Sequence, residues 1–412
     1  MKPSLAVVLG IRPDVIRASL ILRELRTQLG AALRFVWSGQ HYSDNLKDVF
    51  FRQLAVEAPE IELGAKGETD ADITSAVIAA LYPVLQRLRP SATVFLGDTN
   101  TVMGCVAAAQ LNIPVVHIEG CMRSYDWRMP EEKYRTVSDH LADVIYTYLE
   151  EYKTQGVAEG LNPANVIVVG NPIVDVLNEY YFSRRAHFDR LASTRFFHAR
   201  ELAAREYFLM TCHRRENVED PLPLQRIMAL AGAAANRVYF PASYRTQRML
   251  RESGSAVPAN VTIVDPIGYE EFLVLMTNAA GVLTDSGTVV EETCILGVPC
   301  VQMRRSTERP QVYDVGACVK FDPTASDGAP QEVYEKLRVV AGRTWTQPFG
   351  DGHSSERIAA DLVERLSGED GFRKHQPADY HLDVSRSYRG DGLLAPPTRT
   401  DSSAAAVSAR ER

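Results

Sequence analysis

The stretch Leu5-Ala6-Val7-Val8-Leu9-Gly10-Ile11-Arg12-Pro13-Asp14 decides how the rest of the chain is read. Five apolar residues without polar alternation have the pattern of a strand buried on both faces. They end in one glycine, and the Pro-Asp pair that follows suits the first turn of a helix. A secretory signal needs a longer apolar core and a small-residue cleavage site, so this run reads as a first β-strand rather than a leader.

Outward from this stretch the same unit recurs. Apolar runs at 34–37, 92–96, 115–118, 144–148 and 166–169 alternate with segments of helical period at 15–29, 44–54, 101–110 and 131–141. A charged and aromatic stretch at 180–206 interrupts the pattern, which then restarts. The second series has strands at 207–210, 237–240, 261–264, 281–284 and 300–303, and helices at 222–235, 270–278 and 289–296. Apolar strands separated by amphipathic helices build a parallel sheet covered on both faces. The predicted fold class is therefore α/β, with two doubly wound Rossmann-like domains, 1–180 and 181–368, facing a cleft. Ligands in such sheets lie beyond the carboxyl ends of the strands. Helical patterns at 330–342 and 354–366 close the folded part, and a polar tail at 369–412 is expected to be disordered from about 385.

Composition narrows the function. A chain of 412 residues with a formal net charge of −7 and no basic run gives no electrostatic reason to expect nucleic acid. No uninterrupted run of about 18 apolar residues is present, which argues against a membrane partner. The cysteines at 105, 121, 212, 294, 300 and 318 form no CxxC pair. They read as reduced, buried thiols of a cytoplasmic protein.

The residues that carry chemistry stand where strands run into helices. Arg12 and Arg17 flank the opening of the first helix, where free N–H groups and the dipole favour an anion such as a diphosphate. The glycine there is single, so no dinucleotide fingerprint and no nicotinamide are expected. Asp98, in Gly97-Asp98-Thr99-Asn100, and Glu119 end two consecutive apolar strands, where a buried charge is costly without a task. Asp98 alone reads equally well as a helix N-cap. Glu131 follows in the run Arg128-Met129-Pro130-Glu131-Glu132. His213 ends the first strand of the second series beside Arg214 and Arg215, placed to carry a proton or hold a phosphate. Ser286, Gly287 and Thr288 open a helix that bears Glu292, which could reach a ribose diol, and Arg309 follows the next strand.

Taken in order, GIRPDVIR (10–17), GQHY (39–42), GDTNT (97–101), HIEG (117–120), RMPEE (128–132), HRREN (213–217), DSGT (285–288) with its following EE, ERP (308–310) and FGDG (349–352) form a specific set. The chain resembles the non-hydrolysing UDP-N-acetylglucosamine 2-epimerase family over about residues 5–366. The resemblance implies a glycosyltransferase-B-like fold with a sugar nucleotide in the interdomain cleft. It implies UDP contacts from Arg12, Arg17, Phe272, Ser286, Gly287, Thr288, Glu292 and Arg309. Asp98, Glu119, Glu131 and His213 would surround the sugar as the catalytic group. A homodimer is implied as well. Departures from the family pattern are Arg17 for Lys, Thr288 for the last Gly of SGG, Ser124 for the Thr of GLRT, Ile267 for Gln and Ser243 for His. Several motifs lie closer to a branch that epimerises UDP-2-acetamido-2,6-dideoxy-L-hexoses.

Inverting C2 of an amino sugar cannot proceed by simple deprotonation, because that carbon is not beside a carbonyl. Oxidation of a neighbour would need a nicotinamide. Elimination of UDP to a 2-acetamidoglycal and its re-addition needs only leaving-group stabilisation and acid–base groups flanking C2. No cofactor and no metal are expected. A hydrolysing 2-epimerase, a glycosyltransferase of the same fold and a catalytically dead UDP-sugar-binding protein stand as alternatives.

Overall fold

Continuous apolar sequence becomes a central strand at Leu5–Leu9 (β1), buried along its whole length. The computed structural model describes residues 3–39, 51–325, 329–368 and 371–374. Most of the helix expected at 44–54, most of the GQHY motif and the tail beyond 374 lie outside these residues. Next in order come Leu33–Trp37 (β2), Ile61–Glu62 (β3), Ala92–Leu96 (β4), Val115–Ile118 (β5), Val144–Thr147 (β6) and Val166–Val168 (β7). Tyr207–Thr211 (β8), Arg237–Pro241 (β9), Val261–Val264 (β10), Gly281–Thr284 (β11), Cys300–Met303 (β12) and Cys318–Phe321 (β13) follow.

Among the described residues these strands make two sheets, ordered β3-β2-β1-β4-β5-β6-β7 and β10-β9-β8-β11-β12-β13. All pairings are parallel; Leu5, for example, stands opposite Leu33 on one side and Ala92 on the other. Each sheet with its helices forms one lobe. The chain order reverses between β1 and β4 in the first lobe and between β8 and β11 in the second. The loops leaving those four strands are the ones a doubly wound sheet offers to a ligand.

Helices cover both faces. The helix Arg12–Leu29 turns Val15, Ala18, Ile21, Leu22 and Leu25 inward. The helix expected at 101–110 opens instead as a tight turn, Asn100–Gly104, before the α-helix Cys105–Gln110. The turn packs too closely for a side chain at its last residue, since a Cβ at Gly104 would stand 2.7 Å from Leu81 and 3.0 Å from Phe95. Residues 180–206 form no strand and contain the short helices Arg185–Leu191 and Thr194–His198. The final helix, Ser354–Ser367, follows the second sheet in sequence but packs on Arg12–Leu29 and Pro172–Leu177 of the first lobe. Tyr146 of β6 donates to Asp361 on that helix, and Arg357 donates to the Val169 carbonyl at 3.2 Å. No helix among the described residues is long and apolar enough to cross a membrane.

Candidate active site

The loops beyond the strand ends of both lobes enclose a cavity of about 340 Å³. Its first-lobe wall begins where β1 gives way to the helix Arg12–Leu29. Asp14, fully buried, accepts from the Ile11 N–H at 3.3 Å and from Arg17 Nη2 at 3.1 Å. Burial pushes the Asp14 carboxyl up to about 7, although Arg17 opposes the shift. Gly97 follows β4, and its φ of +85° suits a residue without Cβ. A Cβ there would lie 3.2 Å from Arg17 Nη2. The glycine thus lets the β4 loop run close past the arginine.

Asp98 is held by Arg135 through a direct ion pair. Burial alone raises its carboxyl, but the guanidiniums of Arg135, Arg214 and Arg17 outweigh that and hold it below the usual carboxylate range. Glu119, at the end of β5, has a left-handed backbone with φ of 75°. A non-glycine residue in that conformation costs on the order of 1–3 kcal/mol, which its surroundings must offset. Here the N–H groups of Glu119 and Gly120 both donate to the Tyr146 carbonyl, at 3.0 and 3.1 Å. His117, two residues earlier, bridges the Gly97 carbonyl at 2.8 Å and Asp139 at 2.7 Å, which ties the β4 and β5 ends together. The Glu119 carboxylate, 1% exposed, meets Arg17 through Oε2 and Arg309 through Oε1 at 2.9 Å. Glu131 and Arg135 lie one helical turn apart on Pro130–Leu141, Glu131 lining the cavity and Arg135 buried against Asp98. Glu132 turns away and accepts from the backbone of Ser124 and Tyr125, each at 2.9 Å.

In the second-lobe wall, Asp285 at the end of β11 organises the loop after β8. It is buried and accepts from the backbone N–H groups of His213 and Arg214 at 2.9 and 2.8 Å, and from Asn217 Nδ2 at 3.2 Å. His213 Nδ1 lies 3.2 Å from the same carboxylate, while half of its side chain stays exposed. The helix Gly287–Leu296 is capped by Ser286, whose Oγ accepts from the Val289 N–H at 3.4 Å. A Cβ at Gly287 would stand 2.6 Å from Arg309 Nη1, so only glycine lets this helix end meet that guanidinium. Arg309 also donates to Glu291 through Nε at 2.7 Å and is paired with Glu308.

Nine of the residues expected from sequence line this cavity together: Arg17, Asp98, Glu119, Glu131, His213, Ser286, Gly287, Thr288 and Arg309. Arg12, Phe272 and Glu292 are not among its lining residues. Arg12 sits half-buried at the helix start, its guanidinium lowered by burial. Phe272 packs partly buried against the core. Glu292 is buried, accepts from the Tyr269 hydroxyl at 2.7 Å and is pushed up to about 7 by that burial.

The sequence reading missed Arg135, Tyr134 and Asp70 on the first lobe and gave Arg214 and Glu308 no role of their own. Arg214 donates to Glu131 at 3.0 Å, and Arg304, Arg309 and Arg214 together hold the buried Glu308 carboxyl well below its usual range against the effect of burial. The spacing of Glu131, Tyr134 and Arg135, three and four apart on one helix, was the available signal. Among the described residues no cluster of His, Cys, Asp or Glu suits a metal ion.

A family model described as UDP-N-acetylglucosamine 2-epimerase matches residues 23–363. A UDP-N-acetylglucosamine 2-epimerase of Methanocaldococcus jannaschii is 33% identical over 87% of this chain and 98% of its own length. A UDP-2,3-diacetamido-2,3-dideoxy-D-glucuronate 2-epimerase of Pseudomonas aeruginosa is 31% identical over 87% of this chain and 98% of its own length. Among solved structures, the Methanocaldococcus jannaschii UDP-GlcNAc 2-epimerase in complex with UDP-GlcNAc and UDP superposes with a TM-score of 0.77 at 32% identity. That comparison covers 87% of this chain and 99% of the other.

Proposed function

The chain belongs to the UDP-N-acetylglucosamine 2-epimerase family, and from that premise we propose that it is a non-hydrolysing epimerase of UDP-N-acetylglucosamine and UDP-N-acetylmannosamine. The observation that carries this reading is the convergence of three carboxylates, Asp98, Glu119 and Glu131, with Arg17, Arg309 and a glycine-opened helix on one cavity. The division of labour runs between the lobes. The first, up to about residue 180, supplies the acid–base groups, and the second supplies most of the UDP seat. Cytoplasmic residence and a homodimer belong to the same proposal.

In the forward step a carboxylate takes the C2 proton. The C–H electron pair becomes the C1=C2 bond, and the C1–O pair leaves with the β-phosphate of UDP. Negative charge then grows on the diphosphate, where Arg17, Arg309 and the N–H groups at Gly287 and Thr288 meet it. A second carboxylate protonates C2 from the other face as UDP adds back. Asp98, ionised by its arginines, suits the accepting role, and His213, oriented by Asp285, suits contact with the diphosphate or a proton shuttle.

Incubation with UDP-N-acetylglucosamine in D₂O, followed by proton NMR, tests the reading. The expected result is a second UDP-sugar carrying deuterium at C2. Free sugar plus UDP would indicate a hydrolase, and unchanged substrate would indicate a transferase or a binding protein. Thr288 in the cavity wall and Ser124 beside Glu132 support a second reading, a 2,6-dideoxy-L substrate. The same assay with UDP-2-acetamido-2,6-dideoxy-L-talose decides it by the ratio of kcat/KM values.

A further inference from the structure

We propose that Glu119 and the substrate's diphosphate compete for the same two guanidiniums, so that a diphosphate bound to Arg17 and Arg309 displaces the Glu119 carboxylate and frees it for proton transfer. The inference rests on the UDP-sugar reading above and adds a coupling to it: the proton-transfer group becomes available through the arrival of the leaving group.

The geometry of the arginines points to this exchange. Arg309 presents three nitrogens to three carboxylates: Nε to Glu291 at 2.7 Å, Nη1 to Glu308, and Nη2 to Glu119 at 2.9 Å. Glu291 and Glu308 belong to its own lobe and are fixed. Glu291 sits inside the helix Gly287–Leu296, and Glu308 is also bound by Arg304 at 2.9 Å. Glu119 alone of the three comes from the opposite lobe. Arg17 is arranged alike. Its Nε faces the Pro13 carbonyl at 3.4 Å and its Nη2 faces Asp14 at 3.1 Å, both within its own helix, while Nη1 meets Glu119. Of the carboxylates that pair with these two guanidiniums, Glu119 is therefore the one that lines the cavity with them.

Charge favours the exchange. One carboxylate sets a single negative charge between two cations, whereas a diphosphate ester brings two, with oxygens suited to the guanidinium fork. The carboxylate is also fully engaged where it stands. Oε2 takes Arg17 and the Tyr148 hydroxyl at 3.3 Å, and Oε1 takes Arg309 with Arg135 at 3.8 Å. With both oxygens committed to N–H and O–H donors, neither is directed at a C–H bond. The Glu119 backbone is pinned to Tyr146, so release requires rotation of the side chain only.

The test uses UDP, which carries the diphosphate without the sugar, titrated calorimetrically into the full chain. Glu119→Gln keeps the size of the side chain and removes the competing charge. Its UDP Kd is expected to fall about tenfold below wild type. Glu131→Gln, whose partner is Arg214, should change the Kd less than about twofold. A Glu119→Gln Kd equal to or weaker than wild type overturns the competition, and so does an equal tightening in Glu131→Gln, which would mean a general field effect. A wild-type protein that fails to bind UDP defeats the UDP-sugar reading first, and the inference with it. If Glu119→Gln does not fold, the wild-type complex with UDP decides: Glu119 should stand off both arginines, and retention of both pairs beside a bound diphosphate overturns the proposal.

Discussion

Arg214 of the second lobe donates to Glu131 of the first at 3.0 Å, across the cavity from β8 to the helix Pro130–Leu141. Arg215, its neighbour, pairs with Asp70 of the first lobe. Both lobes therefore contribute to the surroundings of one acid–base candidate, and separating them would remove a cation from it. The proposed elimination needs the glycal and UDP held together until re-addition, and these cross-cleft pairs join the two lobes at the cavity.

Asp98→Asn should lower kcat by at least about 100-fold, the lower range for loss of a general acid–base group. The far-ultraviolet circular dichroism should stay native, because Asp98 is bound through one ion pair at the edge of the cavity. Steady-state kinetics with UDP-N-acetylglucosamine provide the check. Turnover within a few-fold of wild type would remove Asp98 from the reaction.

Arg135→Gln tests a positioning role. Arg135 is the first of the guanidiniums that counter the burial of Asp98 and keep its carboxyl low. Without that charge, burial dominates and the carboxyl rises. Asp98 is then ionised only at higher pH, so the acidic limb of the kcat/KM profile should move upward, with kcat falling more than KM changes. A profile with its acidic limb unmoved would leave Arg135 with a packing role only.

Glu292→Gln should make stability less sensitive to pH. Burial raises the Glu292 carboxyl from the ordinary glutamate value of 4.5 to about 7 in the folded chain. Between those values the folded state holds a proton that the unfolded state has lost, so the wild-type contribution falls as pH rises through that window. The difference in Tm, variant minus wild type, should thus be more positive at pH 8 than at pH 5. A difference that is flat, or that runs the other way, would contradict the burial argument.

Strands such as β1 and β4 were legible because an unbroken apolar run has few other uses, and their ends were legible because polarity changes abruptly at Gly10 and Gly97. Asp98 and Glu119 stood out for that reason. The helix Asp70–Leu88 was missed, and Pro83 inside it is a residue that ordinarily argues against a helix. Arg135 was missed on different grounds. An arginine on an amphipathic helix ordinarily reads as solvated, and only the meeting of the helix with the β4 and β5 loops makes it 1% exposed. Glu292 illustrates the reverse. Its place in the motif was recognised, but sequence gave no sign that Tyr269 would hold it within the protein, away from the cavity wall.

The return of the helix Ser354–Ser367 to the first lobe sets an order for biosynthesis. Strands β1 to β7 leave the ribosome early, yet the face of Arg12–Leu29 that this helix covers stays bare until nearly the whole folded chain has emerged. The strands of the second sheet are contiguous in sequence, from Tyr207 to Phe321, and can pair before the first lobe is capped. The lobe translated first is therefore the lobe finished last. Through most of synthesis the nascent chain carries an apolar surface whose partner has not yet been made, and that surface is where a chaperone would be needed.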